Sequence, residues 1–205
     1  MRNKLGTLCM ILGAALLVAA LCLFVRNRME DVQATREVEA LLPQLQQEIQ
    51  KQQDSSGGSG NQLPDPIPGA PERELPRVTI GKYEYIGYVS IPALEVELPV
   101  MADWDDARLK KAPCRYVGSL HTDDMVVMAH NYTKHFGRLS RLQEGDTVQF
   151  TDMTGRVYAF RVAARDVLPA HAIEEMTAGE YPLTLFTCTY SGRDRITVFC
   201  DRVEE

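Results

Sequence analysis

The sequence predicts an all-β domain with small helical insertions, carried on an N-terminal helical anchor. Three observations predict it. From Arg77 onward, short runs rich in β-branched and aromatic residues alternate with turn signals, as in Tyr83–Ile91. Leu5–Val25 holds neither a charged residue nor a proline, and at 1.5 Å per residue it is about 31 Å long, enough to cross a hydrocarbon core of about 30 Å. Between the two, residues 54–76 are rich in Gly, Ser and Pro, a linker composition. With 205 residues, 45% hydrophobic and 24% charged, the chain has ordinary globular usage, which excludes wholesale disorder, collagen and coiled-coil arrays. A net charge of -6 argues against a nucleic-acid binder. Five cysteines are too few for a disulfide scaffold at this length.

The elements follow in order. Residues 1–26 read as a cytoplasmic tip and an uncleaved transmembrane anchor. The apolar run exceeds the core of about 7–15 residues typical of a secretory signal, and Phe24-Val25-Arg26-Asn27-Arg28 offers no small-residue cleavage site. Lipoprotein processing is excluded because Leu21, not a small residue, precedes Cys22. Arg2 and Lys4 lie before the span and Arg26 and Arg28 after it, so charge nearly balances. We take the N-terminus as cytoplasmic and the bulk of the chain as extracellular. Residues 27–53 read as a helical juxtamembrane stalk, with Val38, Leu41, Leu42, Leu45 and Ile49 in a narrow apolar stripe. Pro43 is expected to kink or end that helix.

The 54–76 linker leads to a domain at 77–205, long enough for one modest core. Strands are predicted at Tyr83–Ile91, at Leu94–Leu98 with a stop at Pro99, at Met125–Ala129, at Asp146–Thr151 and Arg156–Ala164 as a hairpin, and at Leu183–Thr187 and Arg195–Phe199. Short helices are predicted over Trp104–Lys111, capped by Asp103, and over Ala172–Ala178. Many short strands separated by turns indicate a closed or nearly closed β barrel.

Three chemically capable side chains fall at strand ends. Cys188 closes Leu183-Thr-Leu-Phe-Thr-Cys188, His130 follows Met125–Ala129, and Arg195 opens the last strand. A thiolate attacks a carbonyl, an imidazole accepts and returns a proton, and a fixed guanidinium stabilises the oxyanion, which together is what acyl transfer needs.

Thr184-Leu-Phe-Thr-Cys188 resembles the T-L-x-T-C signature of sortases, the membrane-anchored cysteine transpeptidases of Gram-positive bacteria. Tyr88-Val-Ser-Ile-Pro92, Leu98-Pro99-Val100, Gly118-Ser119, Met128-Ala-His-Asn131 and Arg195-Ile-Thr-Val198 follow in the family's order. The resemblance covers nearly all of 77–205. It implies an eight-stranded barrel with Cys188 as nucleophile, His130 as general acid/base, and Arg195 as the oxyanion and substrate-orienting cation in preference to Arg193. Thr187 and Asn131 are the substrate-binding candidates beside them. It further implies a secreted protein with a C-terminal sorting motif as substrate, a thioester intermediate, and an amine of a peptidoglycan precursor or a pilin as acceptor. No cofactor and no metal are expected. Ala129 stands where the family often has Gly. The single N-terminal span, with no C-terminal one, is read as class B-like, with class D as the other option and the pilin-polymerising class C disfavoured.

The remaining candidates have plainer readings. Cys114 and Cys200 are expected as buried structural thiols, with a disulfide between them open, and Cys9 and Cys22 as apolar residues of the span. His121, His135 and His171 are expected as solvated loop groups. Asp103, Asp105 and Asp106 are read as helix-start acids rather than calcium ligands. Two competing functions are an L,D-transpeptidase, in which an Arg follows the Cys by two residues within a Ser-His-Gly-Cys type motif whereas here Thr189-Tyr190 follow Cys188, and a non-enzymatic surface binding module.

Overall fold

The computed structural model describes residues 2–55 and 75–203. The linker expected over 54–76 lies, from residue 56 to 74, outside the described residues. The chain divides into two compact units, Met1–Gln33 and Ala34–Glu205. The first unit is helical, part of helix α1 (Arg2–Ser55), and its apolar side chains such as Leu8, Leu16 and Phe24 are exposed. By length and composition this helix is able to cross a membrane.

The second unit is built on nine strands. They are β1 (Val78–Ile80), β2 (Tyr83–Ile91), β3 (Val96–Met101), β4 (Cys114–Val117), β5 (Met125–Ala129), β6 (Thr147–Asp152), β7 (Val157–Pro169), β8 (Leu183–Cys188) and β9 (Asp194–Arg202). Neighbouring strands run in the order β1-β2-β3-β4-β5-β8-β9-β7-β6, and β2 also pairs with β6. That last pairing closes eight strands, β2 to β9, into a barrel and leaves β1 as an added edge on β2. Closure depends on a glycine. Gly87 has φ +146°, and a Cβ there would lie 2.0 Å from the Thr151 carbonyl oxygen of β6. Only a residue without a side chain lets the two strands meet. Alternate residues of each strand face inward. Val89, Ile91, Leu98, Val127, Phe150, Phe160, Leu185 and Val198 form the interior, and each is fully or almost fully buried.

Proline behaves differently here from the sequence expectation. β3 continues through Pro99 to Met101, although the strand was expected to stop there. The missing N–H costs little, because β3 meets β4 only at Met101 opposite Cys114. Likewise α1 runs through Pro43 rather than kinking or ending at it. Pro43 is exposed, so water solvates the carbonyl it leaves unbonded. The flanking Val38 and Leu45 are buried at 5% and 0% exposure, and this packing outweighs the penalty of about 3 kcal/mol for an interior proline.

The apolar stripe of the expected stalk is therefore part of the barrel unit. Leu45 and Ile49 pack with Tyr85, Met101, Leu109, Ala112, Cys114 and Met153. Glu37 accepts an ion-pair contact from Lys111 at 2.7 Å. Gly155, with φ +83° in the β6–β7 turn, approaches the Gln53 amide so closely that a Cβ would meet it at 2.0 Å. Leu45→Ala leaves a cavity under the helix and should cost about 2–5 kcal/mol. Urea unfolding measures this, and an unchanged midpoint would refute the packing role.

The two short helices are α2 (Asp106–Leu109) and α3 (Ile173–Thr177). The cap of α2 is Asp105 and not Asp103. Its carboxylate accepts the Arg108 backbone N–H at 2.7 Å, which holds its pKa below the usual carboxylate range.

Candidate active site

The barrel wall builds the site from three adjacent strands. β5 and β8 run parallel with Ala129 opposite Thr187, and β8 and β9 run antiparallel with Cys188 opposite Arg195. Partnered residues share a face, and faces alternate. Val127, Ala129, Leu185 and Val198 belong to the barrel interior. Val126, Met128 and Phe186 belong to a separate outer cluster with Tyr116, Leu168 and Met176 of α3. The outer row Val126–Met128 continues to position 130, the row Thr184–Phe186 to Cys188, and the row Phe199–Thr197 to Arg195. Cys188 and Arg195 thus share the outer face at one end of β8 and β9, and His130 follows directly after the adjoining end of β5. Directly opposed residues of an antiparallel pair are about 4.5–5.5 Å apart at Cβ, which describes Cys188 and Arg195.

Cys188 is half-buried, in contrast to the other barrel thiols. Cys114 and Cys200 are fully buried and unpaired with each other. Burial pushes both thiols up to about 12, with Asp105 adding to the effect at Cys114 and Asp201 at Cys200. They remain protonated and structural, while the one barrel thiol open to solvent is at the strand end.

The supports of each group are local. His130 is half-buried, and its ring lies 5.0 Å from that of Tyr132, which lies 5.4 Å from that of His135. His135 is wholly buried rather than the solvated loop group expected from the sequence. The loop containing it folds under β5, where the Phe136 N–H donates to the His130 carbonyl at 3.3 Å. His121 and His171 are exposed, and His121 meets the Tyr158 hydroxyl at 3.2 Å. Asn131 follows His130 and is half-buried.

Thr187 is 1% exposed, and its hydroxyl donates to the Ala129 carbonyl at 2.8 Å. The hydroxyl thus pins β8 to β5 at the last pair before Cys188, a role the sequence alone did not suggest. Thr187→Val keeps the shape and removes this buried bond. It should cost about 1–3 kcal/mol in stability, because the carbonyl is left unsatisfied, as measured by thermal unfolding. A change below about 0.5 kcal/mol would show that the pin is idle.

Arg195 is anchored through one terminal nitrogen. Its Nη1 donates to the Gly192 and Asp194 carbonyls, each at 3.1 Å. A guanidinium carries five N–H donors, so Nε and Nη2 remain for an incoming oxyanion. The connecting loop is held by the Thr189 N–H on the Asp194 carbonyl and the Gly192 N–H on the Thr189 carbonyl. Arg193 is exposed, and its carbonyl accepts from Ala170 N–H.

No group of three or more His, Cys, Asp or Glu is arranged to hold a metal among the described residues. Asp103 pairs with Arg77 at 3.1 Å and Asp105 caps α2.

The closed eight-stranded barrel, with a half-exposed thiol opposite an arginine in the strand register, was compared with known proteins. The family model described as the sortase domain matches residues 89–203, and the chain belongs to the sortase family. Among solved structures, sortase C1 of Streptococcus suis is 27% identical with a TM-score of 0.51, covering 59% of this chain and 74% of that one. Sortase C of Streptococcus pneumoniae is 20% identical with a TM-score of 0.57, covering 82% and 96%. Sortase C of Clostridium perfringens, solved with the C-terminal cell wall sorting motif, is 24% identical with a TM-score of 0.54, covering 78% and 88%. The last two carry the barrel fold alone at that identity. A search of curated proteins finds no match.

Proposed function

We propose that this chain is a membrane-anchored transpeptidase that cleaves a C-terminal sorting motif of secreted proteins and transfers the product to an amine of the cell wall or a pilin. The observation that carries this reading is the strand register, with Thr187 opposite Ala129 and Cys188 opposite Arg195. The Cys188 thiol passes its proton to His130, and Sγ attacks the scissile carbonyl carbon. Arg195 Nε and Nη2 donate to the oxygen that becomes negative. His130 gives a proton to the departing amine, and a thioester remains. An incoming amine loses a proton to His130 and bonds to the thioester carbon, and the C–S bond breaks to restore Cys188. Thr187 positions the nucleophile through the β5–β8 pin, and Asn131, half-buried and next to His130 in the chain, is the second substrate-binding candidate.

The proposed organisation keeps residues 1–26 as cytoplasmic tip and anchor and 77–205 as the extracellular catalytic domain, to which the helix from Ala34 onward is joined. The subclass proposed is class B-like with class D as the other option, and the solved structures named above are sortase C and C1 structures of 20–27% identity. The test is a peptide library incubated with the detergent-solubilised full chain, with products identified by mass. Cleavage at one motif, with an acyl adduct on Cys188, is expected. A library left intact, or an adduct on another residue, would refute the reading.

A further inference from the structure

The sheet holds two of the three reactive groups and leaves the third to a loop. Cys188 lies opposite Arg195 within the β8–β9 ladder, whereas the β5–β8 ladder ends at Ala129 and Thr187. His130 follows that last pair, so no ladder bond of β5 holds it. A general base has to lie within hydrogen-bond reach of the proton it moves, and beyond a strand end that placement needs another support. Residues 130–137 fold into a closed loop that provides one. The Phe136 N–H donates to the His130 carbonyl at 3.3 Å, and the Tyr132 carbonyl accepts from the His135 N–H at 3.0 Å and the Gly137 N–H at 3.1 Å. A Cβ on Gly137 would lie 2.5 Å from the Asn131 carbonyl oxygen, so the returning arm packs directly on the backbone beside His130. Phe136, fully buried in the barrel core, anchors that arm.

Tyr132 is the side chain that this loop delivers. Its ring lies 5.0 Å from the His130 imidazole with the planes tilted by 43°, and the His135 ring meets it edge-on at 5.4 Å. Both separations fall in the aromatic contact range of about 4.5–7 Å. His135 is wholly buried, while Tyr132 and His130 are half-buried. A fixed ring thus backs Tyr132, and Tyr132 in turn meets the reactive one. An imidazole that has taken a proton is a cation, and an aromatic ring within about 6 Å attracts a cation, more strongly where water is partly excluded. The neutral imidazole gains less. Lys134 of the same loop is exposed, and the adjoining strands add Cys188 on β8 and Arg195 on β9. Arg195, a permanent cation, works against a second one at position 130, and the tyrosine ring offsets it.

We infer that Tyr132 is a positioning residue for acyl transfer, whose ring holds the His130 imidazolium for delivery of its proton to the departing amine, an inference resting on Cys188 and His130 acting as proposed above. In that step Sγ bonds to the carbonyl carbon, the C–N bond breaks, and the proton that left the thiol passes from the imidazolium to the nitrogen. An amine does not leave without this proton. A nitrophenolate does, because it departs as a stable anion and the proton stays on the imidazole. The effect of Tyr132 therefore depends on the leaving group, which support of the fold alone does not.

The experiment follows single-turnover acylation of the full chain by two substrates, the sorting peptide found in the library and its acyl portion as a p-nitrophenyl ester. In Tyr132→Leu the amide should react about tenfold more slowly at saturation, the size of a partly desolvated cation–π contact, with half-saturation unchanged and the ester rate altered by less than about twofold. Tyr132→Phe keeps the ring and should restore the amide rate. Fluorines on that phenylalanine ring drain its face at nearly constant shape and should slow the amide again, which keeps the test decisive if Tyr132→Leu does not fold. Equal losses on amide and ester overturn the inference, in favour of general support of the site. A shifted half-saturation with the rate intact overturns it, in favour of substrate contact. Tyr132→Phe as slow as Tyr132→Leu also overturns it, in favour of the hydroxyl. If the unsubstituted chain is acylated by neither substrate, the catalytic reading itself fails, which is a distinguishable result.

Discussion

Cys188→Ala should abolish thioester formation with a sorting peptide, and intact-mass spectrometry should then show no acyl adduct at any incubation time. The expectation rests on there being one suitable sulfur in the barrel. Cys114 and Cys200 are buried, and their thiols are pushed up to about 12, so neither supplies a thiolate near neutral pH. Cys188 is half-exposed at the end of β8. The remaining cysteines, Cys9 and Cys22, lie in the apolar part of α1. The replacement is small and at a half-exposed site, so the thermal midpoint should move little. Peptide mapping after iodoacetamide offers an independent measure, because alkylation within the barrel should fall on Cys188 alone. Turnover retained in Cys188→Ala, or modification of Cys114 ahead of Cys188, would remove the nucleophile assignment.

Arg195→Ala should lower kcat/KM by about 10²–10³, the loss typical of removing one oxyanion-hole donor. Arg193→Ala should do far less. The two arginines are two residues apart, yet the strand geometry separates them. Arg195 is the direct partner of Cys188, while Arg193 is exposed outside β9 and contributes a carbonyl to Ala170. Arg195→Lys is the sharper variant. It keeps the charge but loses the fork that bonds Gly192 and Asp194 while leaving two nitrogens for substrate. It should recover only part of the rate. A larger defect in Arg193→Ala than in Arg195→Ala would transfer the role.

Much of this architecture was legible in the sequence, and the parts that were not share a physical cause. β2 and β5 were read at their observed boundaries because each is a dense β-branched or aromatic run. β4 escaped because it has four residues, carries a bulge between Arg115 and Val117, and offers no alternation to read. Pro43 and Pro99 misled because local rules cannot know which carbonyls and N–H groups have a tertiary partner. His135 was read as solvated because its neighbours Thr133 and Lys134 are polar, yet its ring is wholly buried and packs on that of Tyr132. The strand-end positions of Cys188, His130 and Arg195 were visible as motif residues. The ring contacts of Tyr116 with Trp104 at 5.5 Å and with Phe186 at 5.6 Å were not, since these residues are far apart in the chain and meet only once β4, β5 and β8 lie side by side.

The apolar side chains of helix α1 are exposed before Gln33 and mostly buried after it. Leu16 is an apolar residue turned outward, with nothing of its own unit covering it, whereas Leu45 is sealed against protein. On the proposed anchoring, a Leu→Asn exchange at Leu16 is a question of partition into lipid, read out by fractionation and blind to denaturant. The same exchange at Leu45 is a question of solvation inside a protein, read out by denaturant and blind to fractionation.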